Sequence, residues 1–139
     1  MNHISPVGKT KTQGWEIGVR RTFPIGTDKA WALLMTQPGL GLWLGQGVEP
    51  SFKKGDSYET SEGTTSEIRS YSQGSLIRLT WQPRGYAMPT TLQIRVMPAK
   101  TGATISIHHE KLADGAARNA MRDHWSAVMD RLQSIVHSL

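Results

Sequence analysis

The 139 residues carry 16 Lys and Arg against 11 Asp and Glu, a net charge of +5, with a hydrophobic share of 37%, 14 Gly, 7 Pro and no Cys. Such a length suits one domain with its own core, and the missing cysteines exclude disulfides, Cys-ligated zinc or iron–sulfur sites and a thiol nucleophile. No apolar run approaches the ~18 residues of a membrane helix and residues 1–13 lack an apolar signal region, so a cytoplasmic protein without a membrane span is expected.

Residues 1–14 show no periodicity and are expected to form a flexible N-terminal arm, with a single domain over 15–139. From Trp15 onward, Ile17, Val19, Arg21 and Phe23 alternate with Glu16, Gly18, Arg20 and Thr22, the pattern of a half-buried strand. Pro24 and Gly26 end it. Thr27 is placed to cap a short helix whose Trp31, Leu34 and Met35 fall at i, i+3 and i+4, and Pro38 and Gly39 stop that helix. The glycine-rich residues 40–47 around Trp43 read as a loop or a second short helical turn. Strand signals follow around 48–52, 57–60, 64–72, 76–82, 90–97 and 103–112, separated by turn residues such as Lys54-Gly55-Asp56, Gln73-Gly74 and Thr101-Gly102. Short turns between successive strands predict an antiparallel meander. Residues 114–137 then place Met121, Trp125, Val128, Met129, Leu132, Ile135 and Val136 on one helical stripe. At 1.5 Å per residue that helix is roughly 35 Å long, enough to cross a small sheet, and its stripe needs the sheet for cover. A twisted sheet curling round one long helix leaves a groove between them, and function is sought there.

The succession Phe23-Pro-Ile-Gly-Thr-Asp-Lys-Ala-Trp31, Pro38 with Trp43, Gly55-Asp-Ser-Tyr58, Ile77-Arg-Leu-Thr-Trp81, Gly102-Ala-Thr-Ile-Ser-Ile-His-His-Glu110 and His124-Trp125 with Leu132 resembles the START-like (SRPBCC) superfamily. Within it, the chain is similar to single-domain relatives of the C-terminal domain of the activator of heat shock protein 90 ATPase. The resemblance implies an α+β helix-grip fold. A curved antiparallel sheet wraps a long C-terminal helix, two short helices follow the first strand, and many relatives hold a hydrophobic pocket. Relatives include lipid carriers, hormone receptors, cyclases and co-chaperones, so fold alone does not choose among them.

Three functional readings follow. The first is a small hydrophobic ligand held by Trp43, Trp81, His109, Met121, His124, Trp125 and Val128, since indole rings offer large apolar area with one polar handle each. His108 and His109 are neighbours on a strand and point to opposite faces; by parity His109 continues the dry line of Ala103, Ile105 and Ile107. An inward His109 can hydrogen-bond a ligand or serve as general base, whereas the plainer alternative is a locally bonded strand-end residue. His124 lies about 80° from the centre of the helical stripe, at its boundary and hence on a pocket rim. His109 and His124 are also the candidate catalytic groups of a second reading, a polyketide cyclase or dehydratase-like enzyme. In the third reading, which the resemblance suggests, the chain is a co-chaperone or protein-docking module of the heat shock protein 90 ATPase activator type, and Arg69, Arg78 and Arg95, on the wet side of adjacent strands, dock an acidic protein partner; a solvated outer sheet is the alternative.

Arg21 shares the dry parity and needs either an anionic partner or a path to water. Glu110 is expected to pair with Arg118 or Arg122. Nucleic acid is disfavoured because no aromatics interleave the arginines. No cofactor and no metal site are expected: Gly39, Gly41, Gly45 and Gly47 follow a helix rather than a strand, and no zinc signature occurs. A monomer or a homodimer fits equally.

Overall fold

The computed structural model describes residues 9–10 and 14–139. Its elements in chain order are β1 (Lys9–Thr10), β2 (Gly14–Phe23), α1 (Thr27–Met35), α2 (Gly39–Trp43), β3 (Ser57–Glu59), β4 (Thr65–Ser72), β5 (Leu76–Trp81), β6 (Thr90–Ala99), β7 (Gly102–Leu112) and α3 (Gly115–His137). The strands pair antiparallel into one open curved sheet of order β1-β2-β7-β6-β5-β4-β3. Strands β3 to β7 form the expected meander, while β2 returns beside the last strand and sets Ile17 against His109 and Gly18 against His108. The α+β helix-grip architecture is the one expected.

Alternation decides which side of the sheet is dry. Ile77, Leu79 and Trp81 of β5, Leu92, Ile94 and Val96 of β6, and Ala103, Ile105, Ile107 and His109 of β7 are buried on one face. Helix α3 covers that face with Trp125, Val128, Met129, Leu132 and Val136, the inner part of its stripe. Asp114 caps the helix by accepting from Ala117 N at 2.7 Å, which satisfies one of the first-turn amides. Arg21, the inward arginine, finds its anion on the same helix: its Nη1 donates to Asp130 Oδ1 at 2.7 Å and to Gln133 Oε1 at 2.9 Å. Strand and helix are thereby tied at the sheet's edge, where the guanidinium keeps contact with water.

Three expectations are modified. Residues 48–52 are not a strand. Their amides are used locally instead, with Ser51 N and Phe52 N donating to Tyr58 Oη at 3.1 and 2.9 Å. Phe52 turns left-handed (φ 54), a conformation that costs about 1–2 kcal/mol. In return its ring stacks on Tyr71 at 5.6 Å and on Trp43 at 6.3 Å. Helix α1 is capped by Gly26 in extended conformation, and Thr27 is its first helical residue with no side-chain cap. The expected flexible arm falls partly on residues 1–8 and 11–13, which lie outside the described residues; Lys9 and Thr10 pair with Trp15 and Gly14. Gly39 allows α1 and α2 to meet, because a Cβ there would stand 1.8 Å from the Leu33 carbonyl oxygen.

Candidate functional site

Where the end of β5 and the far part of β7 face the middle of α3, four aromatic rings converge. The Trp81 ring meets His109 edge-on at 5.1 Å and Trp125 at 5.6 Å, while His124 stands edge-on to Trp125 at 4.6 Å. His109 is fully buried and both its ring nitrogens are engaged. Trp125 Nε1–H donates to Nδ1 at 3.1 Å, so the imidazole proton sits on Nε2, which donates to Thr90 Oγ1 at 2.6 Å. The Thr90 hydroxyl in turn donates to the Trp81 carbonyl. Three hydrogen bonds therefore run in one direction, indole to imidazole to hydroxyl to carbonyl, and lock one neutral tautomer. Burial, then the nearby His124 and His108, push the His109 pKa down to about 3. His124 remains exposed as a residue, yet its ring packs over the indoles; desolvation there, then Arg131, hold it below the ordinary imidazole value.

Two clefts flank this cluster. One, of about 250 Å³, is walled by Trp43 and Leu44 from the α2 end, by Thr60 and Glu62 from the β3–β4 turn, and by Trp81 and His124. Gly45 (φ 116) lets the chain leaving α2 press against that turn, since a Cβ would stand 2.5 Å from Thr60 Cγ2. The Glu62 backbone amide and the Thr60 hydroxyl keep the Glu62 carboxylate below its usual range, so it is ionised at neutral pH. Trp81 is buried, and among the described residues nothing accepts from its indole Nε1–H. The second cleft, of about 450 Å³, lies under the β5–β6 loop and is lined by Tyr86, Met88, Thr90, Lys111, Ala113 and Ala117.

Residues 26–137 match the family model described as Activator of Hsp90 ATPase homolog 1-like protein. The chain belongs to this family. Among solved structures, protein MLL2253 from Mesorhizobium loti is 17% identical with a TM-score of 0.72, over 88% of this chain and 97% of that one. CalU16 from Micromonospora echinospora is 13% identical with a TM-score of 0.75, over 88% and 76%. DynU16, described as a putative protein in the dynemicin biosynthetic locus, is 12% identical with a TM-score of 0.77, over 88% and 47%. At these identities the likeness is one of fold. No curated protein matches the chain.

In this chain Trp43, Trp81 and His124 line the smaller cleft together. His109 and Trp125 are buried behind Trp81 and His124 and line neither cleft. Met121 is half-buried and Val128 buried on α3, and they line neither cleft. Trp43 spends its indole N–H on the Leu34 carbonyl at 2.7 Å and so offers a surface, not a donor. Sequence reasoning missed Thr90, whose hydroxyl pairs with a residue 19 positions away, and the whole Tyr86–Met88 wall, where only an exposed Met88 beside Pro89 hinted at more than a turn.

The outer face differs from expectation in its pairing. Glu110 meets Arg78 at 3.7 Å and His108 at 3.1 Å rather than Arg118 or Arg122. Strand parity is the reason: Glu110 shares the side of His108, away from α3. Arg118 instead donates to the Glu16 carbonyl at 3.1 Å and Arg122 lies beside Asp123 at 3.6 Å. Of the three arginines on that face, Arg69 is paired with Glu67 at 3.1 Å and Arg78 donates to Gln93 at 3.1 Å, while Arg95 is exposed. Glu16, His108 and Glu110 gather there as the one trio of potential metal ligands among the described residues. No helix of the described residues is long and apolar enough to cross a membrane.

Proposed function

We propose that this protein binds a small, largely apolar molecule bearing one hydrogen-bond acceptor, in the 250 Å³ cleft between the α2 end, the β3–β4 turn and α3. The carrying observation is the buried indole N–H of Trp81, which has no acceptor among the described residues while its side chain walls a cleft. An unpaired buried donor costs about 1–3 kcal/mol, and a ligand carbonyl, ether or hydroxyl oxygen removes that cost on binding. Trp43 and Leu44 supply apolar walls, and neutral His124 at the rim adds a second polar contact. The volume sits just below the roughly 300–1,000 Å³ of drug-sized pockets, which suits a one- or two-ring compound. The fold shared with DynU16, a protein of a biosynthetic locus, supports a small organic ligand over a polymer. The cysteine-free composition supports the cytoplasm as the place of action. Docking of an acidic protein on the arginine face has less support, because Arg69 and Arg78 already have partners.

Indole N–H resonances provide the test. A library of lipids and aromatic carbonyl compounds is titrated into labelled protein, and the binders are expected to shift the Trp81 Nε1–H signal and the His124 ring together. Trp81→Phe keeps the ring area and loses the donor, so affinity should fall about fivefold to tenfold in a protein that stays folded. Binders that ignore this substitution, or a library without any binder, would end the reading.

A further inference from the structure

We propose that the 450 Å³ cleft between the β5–β6 loop and the start of α3 binds a second ligand, a monocarboxylic acid with an apolar body. Lys111 and the Tyr86 hydroxyl take its carboxylate, and its body lies along Met88 and Ala117. The inference concerns a different cleft from the one proposed above and does not depend on the Trp81 donor.

The cleft follows from the way β7 hands the chain on to α3. Alternation carries the inward side from Ile107 through His109 to Lys111, so a cation arrives at the dry end of the sheet, one step beyond the Thr91–Glu110 pair. Lys111 is left-handed (φ 65), at the point where the register of β7 against β2 shifts. A residue other than glycine keeps that conformation only where its surroundings impose it. The side chain does not turn to an acid. Among the described residues Lys111 has neither an ion pair nor a side-chain hydrogen bond, and it lines the cleft. The facing loop is fixed in place: Gln82 Nε2 donates to the Tyr86 carbonyl at 2.8 Å and Tyr86 N to the Pro83 carbonyl at 3.0 Å. The wall therefore exists before any ligand arrives.

The walls select the ligand. At about 450 Å³ the cleft lies within the roughly 300–1,000 Å³ of small-molecule pockets. Its lining is mostly apolar, from the Tyr86 ring, Met88, Ala113 and Ala117. Met88 is 72% exposed, one of three large apolar side chains left open among the described residues, and its flexible thioether can fold over an apolar guest. The polar content is one cation and one phenol. Among the described residues the Tyr86 hydroxyl has no hydrogen-bond partner. Burial, then the charge of Asp114, push its pKa up, so it stays a protonated donor at neutral pH. No carboxylate lines the cleft, and Asp114 at its edge spends an oxygen on Ala117 N at 2.7 Å. Arg84 is turned away to the β3–β4 turn, where a Cβ on Gly63 would stand 2.7 Å from its guanidinium. One ammonium and one O–H match one carboxylate; a phosphate dianion would keep a charge unanswered beside apolar walls.

Decanoate, titrated into the full chain at neutral pH below its micelle concentration, tests the site, with 1-decanol as its uncharged twin. One decanoate per chain is expected, with methyl NMR shifts at Met88, Ala113 and Ala117 and none at the Trp81 Nε1–H. Lys111→Met keeps the length of the side chain and loses its charge, and should weaken decanoate about fivefold while leaving decanol unchanged. Ala117→Leu narrows the cleft from a half-exposed helix position and should weaken both. Trp81→Phe should leave decanoate binding as it is, which separates this site from the smaller cleft. Equal affinity for decanoate and decanol, an effect of Lys111→Met on neither, shifts centred on Trp81, or the absence of saturable binding would each overturn the proposal.

Discussion

His108 and His109 are consecutive in β7, yet one lies between two carboxylates on the wet face and the other is sealed among two indoles and a threonine on the dry face. The dry face tolerates His109 only as a neutral ring with both nitrogens satisfied, because charge there cannot be hydrated. The wet face does the reverse and gathers charge: Glu16, Glu110, Arg78 and His108 meet within a few strands' width. One residue of sequence therefore separates a sealed ring of the core from a cluster of ion-paired charges at the surface. The lesson is that a histidine's chemistry here is set by the face to which its strand parity assigns it, not by its neighbours in sequence.

That contrast is broken most severely from the dry side. Trp125→Ala removes a fully buried indole and leaves His109 Nδ1 without its donor, and should cost about 3–5 kcal/mol in urea unfolding. A loss under about 1 kcal/mol would mean that α3 does not complete this core.

Acid provides the next largest effect, and its sign follows from the depressed His109 pKa. In the unfolded chain the imidazole titrates near 6.5; in the fold it does so at about 3. Below 6.5 the unfolded state thus takes up the proton first, and stability falls with pH until about 3. From pH 6.5 to 4.5 this group alone should remove about 2–3 kcal/mol, and the lowered His124 value acts in the same direction. His109→Gln, though less stable at neutral pH, should show a flatter pH dependence in paired denaturant titrations; an unchanged slope would assign the acid sensitivity elsewhere.

Trp125→Phe sharpens the comparison with less damage. It keeps most of the packing, costs about 1–3 kcal/mol, and releases Nδ1, so nitrogen shifts of His109 should report a mixed tautomer. Arg21→Ala, at the boundary between the faces, should cost about 0.5–1 kcal/mol, since its bond to Asp130 is partly screened by water. On the wet side Arg95→Glu should stay within about 0.5 kcal/mol of the parent.

Strand parity and the helical stripe were legible because burial has a period: alternation over Ile77–Trp81 and 3.6-residue spacing from Trp125 to Val136 report one dry face each. The same arithmetic placed His109 inward and Arg21 among apolar neighbours. It did not extend to residues 48–52, whose apolar pattern looks like a strand while Tyr58 takes their amides, a contact decided by the fold of the following hairpin. Within the candidate site, Trp43, Trp81 and His124 could be named one by one, but their meeting at one cleft joins α2, β5 and α3 across 81 positions of chain. Thr90 on His109, Asp130 on Arg21, and Glu16 facing Glu110 are likewise products of pairing between distant strands and helix. Composition, parity and stripe determined that a sheet grips a helix, since each is a local periodic property of the chain. Which polar atoms meet, which stay unpaired and where space remains were settled by tertiary register alone, because those depend on distances between segments that no local pattern encodes.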